Sequence, residues 1–93
     1  MYVHLGQSTV VRSDEIIGIF DLEKTTVSRP TRDFLAAATA RGAVVNVSPE
    51  MPKSFVVTAE KGKETAVYIS QISPATLHKR TGFIDTIANI RER

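Results

Sequence analysis

His4 and His78 are the side chains of this sequence with the widest chemical reach, and no partner for either stands at a working distance along the chain. A zinc protease needs two histidines four apart on one helix face around a glutamate, and a structural zinc site needs paired thiolates or imidazoles. There is no cysteine, so thiolate ligation, thiol catalysis and disulfide bonding are all excluded. His4 alternates with apolar Val3 and Leu5, which reads as a hydrogen-bonded strand histidine, whereas His78 falls among polar residues and is expected to be exposed. Gly62-Lys63-Glu64-Thr65 echoes the end of a phosphate loop but lacks the upstream glycine and sits between two strand-like runs. No Gly-x-Ser-x-Gly turn and no glycine-rich dinucleotide loop occur, and the acidic residues are scattered. General acid–base work requires a base and a group that orients it. Neither is present, so the expectation is a protein without catalysis, metal or cofactor.

Charge offers a different chemistry. The net charge is only +2, but it is unevenly spread. Residues 1–23 set Arg12 against Asp14, Glu15, Asp21 and Glu23, a net of −3. Residues 24–63 set Lys24, Arg29, Arg32, Arg41, Lys53, Lys61 and Lys63 against Asp33, Glu50 and Glu60, a net of +4. Such asymmetry can make one face attractive to phosphate, or simply a solvated mixed surface. Arg29 and Arg32 stand at the start of a helix, where backbone N–H groups also favour anions, and Lys53 lies in the turn before a strand. These three are the candidate phosphate contacts. Lys61 and Lys63, at a hairpin tip, read more simply as solubilising charges.

The elements that would carry these residues follow from periodicity. A chain of 93 residues makes one domain, able to bury roughly two-thirds of its unfolded surface. No run of 18 apolar residues occurs, so no membrane span is expected. The start lacks the charged and apolar regions of a signal peptide, and the expectation is a cytosolic protein. Residues 2–5 and 9–12 read as short strands around Gly6-Gln7-Ser8. Ile16-Ile17-Gly18-Ile19-Phe20 reads as a strand buried on both faces, or on one face in the core and the other in an oligomer interface. Ser28 or Arg29 before Pro30 opens a helix whose stripe is Phe34, Leu35 and Ala38, with Arg41 in its last turn and Gly42 as its left-handed cap. Val44 to Val47, Phe55 to Ala59 and Thr65 to Ile72 read as strands, the last two joined by a charged hairpin. Ser73-Pro74 opens another helix, and Phe83, Ile84, Ile87 and Ala88 form a further apolar stripe. The order predicts an α+β fold with a mainly antiparallel, twisted sheet, a central helix and C-terminal helices.

Particular stretches carry a resemblance. Met1-Tyr2-Val3-His4-Leu5-Gly6, Val10-Val11-Arg12, Ile19-Phe20-Asp21-Leu22, Pro52-Lys53-Ser54-Phe55, Val67-Tyr68-Ile69-Ser70 and Ser73-Pro74-Ala75-Thr76-Leu77 resemble the RemA/RemB family of extracellular-matrix regulators, on its RemB side. So do Pro30 with Arg32, Arg41-Gly42, and Pro74 with Thr76 and Arg80. The likeness runs over residues 1–80, leaving 81–93 as a variable tail of the same domain. It implies a fold like LytTR DNA-binding domains, assembly as a ring, and a DNA-binding regulator of biofilm-matrix genes, with double-stranded DNA, further copies of the chain and a RemA-type paralogue as partners. One departure stands out. Where the family carries an arginine pair and a further arginine before its penultimate strand, this chain has Met51, Pro52 and Ser54, with only Lys53 basic. Those contacts do not carry over, which leaves a second reading, a protein-interaction scaffold without DNA contact.

Overall fold

The computed structural model describes residues 1–81. The apolar tail stripe from Phe83 onward lies outside them. Its elements are β1 (Tyr2–Gly6), β2 (Thr9–Arg12), a 3-10 turn (Ser13–Glu15), β3 (Ile16–Asp21), α1 (Leu22–Thr25), α2 (Arg29–Ala40), β4 (Val44–Asn46), β5 (Ser54–Thr58), β6 (Ala66–Ser70) and α3 (Pro74–Thr81). The α+β class is as expected. The single sheet is not. β1 and β2 form a separate antiparallel ribbon, and the other strands form a four-stranded sheet in the order β3-β5-β6-β4. Most pairings are antiparallel, but β4 runs parallel to β6, with Val44 opposite Val67. A parallel neighbour cannot be reached by a tight turn. Between β4 and β6 the chain passes through β5, while the crossing from β3 through α1 and α2 carries it to β4 on the far edge.

Alternation along β5 and β6 divides the core in two. Val56, with Val3, Leu5, Val11, Val47 and Leu77, fills the space beneath the ribbon and α3. Phe55, Val57, Val67 and Ala38 fill the space beneath α2. The sheet is therefore a middle layer, and β5 is buried along its whole length.

Helix ends form where local chemistry dictates. Ser28 caps α2 by accepting from the Thr31 N–H, and Pro30 occupies the first turn. Gly42, at φ +71°, closes it in the left-handed conformation. Leu35 and Ala38 reach the core, while Phe34 stays partly exposed. Ser73 caps α3 through the Thr76 N–H. The short α1 was not expected from the sequence; Asp21 caps it, accepting from the Lys24 N–H at 2.8 Å.

Of the two readings of Ile16–Phe20, burial on both faces is corrected, while one face against the core is found. β3 is not buried on both faces, because it is an edge strand with no buried residue. Ile16 and Ile19 pack against the core under the ribbon, but Ile17 is 61% exposed. A bulge sets Ile17 and Gly18 against Val57 and turns Ile17 outward.

Candidate nucleic-acid interface

The candidate phosphate contacts gather at one corner. β3, β4 and β6 point the same way, and where β3 ends the chain enters α1 and then α2. Lys53 is stitched into this corner by its backbone. Its N–H donates to the Ser70 carbonyl at 2.9 Å, and its own carbonyl accepts from the Leu22 N–H at 3.0 Å. The segment leading into β5 thus holds the end of β6 to the start of α1, and the Lys53 side chain is left exposed.

The two arginines behave differently. Arg32 donates from Nη1 to the carbonyls of Thr26 at 3.0 Å and Val27 at 2.9 Å. It fastens the turn between α1 and α2, so it is first a positioning residue. Arg29 points to solvent and faces Asp33 one turn on at 3.8 Å. That pair is fully hydrated and too long to hold the guanidinium in place. The helix start is less open to anions than the sequence suggested. Pro30 has no N–H, and Thr31 and Arg32 direct theirs to Ser28. The corner is also neutral by count: Lys24, Arg29, Arg32 and Lys53 stand against Asp21, Glu23, Asp33 and Glu50 on the same elements.

The remaining cations divide similarly. Lys63 lies 2.8 Å from Glu60 across the hairpin tip, and the hydrogen bond it donates to that carboxylate raises its pKa above the ordinary lysine value. Arg12 pairs with Asp14 at 2.7 Å, a hydrogen bond that likewise raises its pKa. Arg41 is not in the last turn of α2 but caps it. Its side chain leaves the helix for the Thr65 carbonyl at 3.0 Å and Glu64 at 3.4 Å, tying α2 to the hairpin. Lys61 is exposed at the tip.

The histidines show no sign of chemistry. His4 is exposed and hydrogen-bonds the Gln7 carbonyl through Nε2 at 2.6 Å. His78 is not exposed, as the sequence suggested, but half-buried beside β3, with Nδ1 lacking a partner among the described residues. No group of three His, Asp or Glu side chains among the described residues could hold a metal. No described helix is long and apolar enough to cross a membrane.

Sequence reasoning missed two features. A groove of about 360 Å³ runs between the start of α2 and β3, lined by Ile17, Phe20, Pro30, Phe34 and Phe55. It exists because α2 covers only part of its sheet face. The other is the charge of α3. Residues 65–84 contain no acidic residue, a signal visible in the sequence once charges are read by stretch and not by third.

The profile of the extracellular matrix regulatory protein A-like, or RemA-like, family matches residues 2–81, the whole of the α+β domain just described. The chain belongs to that family of regulatory proteins. It is similar to extracellular matrix regulatory protein B of Bacillus subtilis (strain 168), with 38% identity over 84 residues, covering 90% of this chain and 94% of the relative.

Proposed function

We propose that this chain is a regulator of extracellular-matrix gene expression that binds double-stranded DNA as a homo-oligomer, mainly through the phosphate backbone. The observation that carries this reading is the match of the whole described domain to a regulatory family and to a relative named for matrix regulation. Residue content supports backbone contact. Alanines at 36, 37, 38 and 40 give α2 little to offer base edges. Arg29 and Lys53 present solvated charge from one rigid corner, and Arg32 holds that corner. A single neutral corner binds weakly and loses affinity steeply with salt. Repetition around an oligomer adds modest sites through effective concentration. The apolar groove beside β3 gives self-association a surface, in a ring and with a RemA-type paralogue as a further partner, in the cytoplasm.

A second reading has its own observation. Met51 is 82% exposed in the segment where the family carries arginines, and an exposed methionine there suits a protein partner of a non-catalytic scaffold. One titration separates the two. Full-length protein and the Arg29→Glu/Lys53→Glu variant are measured by anisotropy against several duplexes at two salt concentrations, with the mass in solution measured alongside. Backbone binding predicts uniform weakening across sequences and a flatter salt dependence for the variant. Equal affinity would remove these residues from the interface. No binding by the unaltered protein at low salt, with its assembly intact, would establish the scaffold reading instead.

A further inference from the structure

Charge is unevenly divided among the elements. Residues 1–73 contain eight Lys and Arg and eight Asp and Glu, so they are neutral. Beyond α3, Asp85 and Glu92 balance Arg91 and Arg93. The whole net charge of +2 therefore sits on α3, as Lys79 and Arg80, in a helix without a single acid. The four ion pairs of the described residues engage Arg12, Arg29, Arg41 and Lys63, and neither cation of α3.

The helix presents this charge outward. Leu77 and Thr81 are buried, which turns Ala75, Thr76, Lys79 and Arg80 to solvent. Ala75 and Thr76 lie one turn before Lys79 and Arg80. Small side chains there leave the helix surface low and let an extended polyanion approach. Cations near a helix C-terminus also favour its dipole. That role does not account for Arg80, whose Nη1 turns to the His4 carbonyl on β1 at 3.0 Å. This contact uses one of five guanidinium donors and fixes the fork beside the ribbon, leaving the others for a second acceptor. His4 and Tyr2, both exposed, flank it on the ribbon's outer row.

We propose that the outward face of α3, through Lys79 and Arg80, contacts the phosphodiester backbone of duplex DNA. The proposal rests on the DNA-binding reading above and adds a contact on the opposite side of the sheet from α2. Lys79 supplies a mobile point charge and Arg80 a pre-oriented fork. Each oligomer copy repeats both, so the small charge of one protomer is concentrated where it acts.

The test uses the full chain and a fluorescent random-sequence duplex. Lys79 is the residue to change, because Arg80 also fastens the ribbon. Lys79→Glu should weaken binding at least about ten-fold at low salt, Lys79→Gln less, and Lys79→Arg hardly at all. The slope of log affinity against log salt should fall by about 0.9 for each phosphate contact removed. Thermal midpoint and mass in solution should not change, since the side chain is exposed. Unaltered affinity and slope in Lys79→Glu, beside an unaltered protein that binds, would overturn this site and leave the DNA-binding reading standing. Failure of the unaltered protein to bind at low salt, with its mass intact, would overturn both.

Discussion

β3 and β5 are hydrogen-bonded neighbours, and their apolar content is similar, yet every residue of β5 is buried and β3 is at most half-buried. β5 holds a central place in the strand order and has a layer on each face: α2 on one side, the ribbon and α3 on the other. Among the described residues β3 has a strand partner on one edge only, and α2 leaves a groove beside it. Apolar residues on a strand thus report that it meets something, while strand order and the reach of the covering helix decide what is met within the protomer. The stacked pair Phe20 and Phe55 shows this in miniature. Their ring centroids are 5.0 Å apart, but Phe55 is 2% exposed and Phe20 38%.

The sharpest way to break this comparison is to truncate both rings. Phe55→Ala should cost about 3–5 kcal/mol, because it removes a ring only 2% exposed and leaves a void between α2 and the sheet. Phe20→Ala should cost about 1 kcal/mol, since solvent already reaches that ring and only the stacking and part of its burial are lost. Denaturant unfolding of both variants measures the difference. Similar losses would mean that β3 is covered in solution by something outside residues 1–81.

A smaller effect tests how the ribbon is held to the sheet. Ser70, at the end of β6, is fully buried, and its hydroxyl donates to the Leu5 carbonyl at 2.7 Å while accepting from the Ile72 N–H at 3.0 Å. Ser70→Ala strands both groups and should cost about 1–3 kcal/mol. Amide exchange should accelerate in β1 and β2 ahead of β5, because the ribbon loses a bond and the sheet loses none. Uniform acceleration would show ribbon and sheet to open as one unit.

What could be read in advance was local. Ser28 with Pro30, Arg41-Gly42 and Ser73-Pro74 each settle a helix end within a few residues, and the structure has those ends. Lone α1 escaped because four residues, Leu22 to Thr25, are too few to show a period, although Asp21 before them is a capping signal. Long-range order was not legible. Nothing in Val44-Val45-Asn46 states that its partner is β6, running parallel, and nothing in Ile16–Phe20 marks it as an edge. The candidate site fared similarly. Arg29 and Lys53 do lie on one corner with Arg32, but Arg32 spends its guanidinium on the Thr26 and Val27 carbonyls, and acids of the same elements cancel the corner's charge. Those are consequences of folding, which brings charges distant in sequence together.

The smallest expected effect on protomer stability is the most telling about assembly. Ile17 is turned outward by the bulge and lines the grooves on both faces of β3, shared with Phe20. In the protomer it touches little, so Ile17→Ser should change the unfolding free energy by less than about 0.5 kcal/mol at concentrations where the protein is monomeric. If further copies cover this edge, the same substitution should lower the mass in solution at micromolar protein, because it removes apolar area from the interface alone. A strand edge with free backbone groups and an outward isoleucine is a liability unless covered. The two readouts therefore diverge: stability unchanged, mass reduced. A mass unchanged by Ile17→Ser would place self-association on another surface. A large stability loss in the monomer would show that Ile17 is already covered within one chain, and β3 would then resemble β5 more closely than its neighbours in the protomer imply.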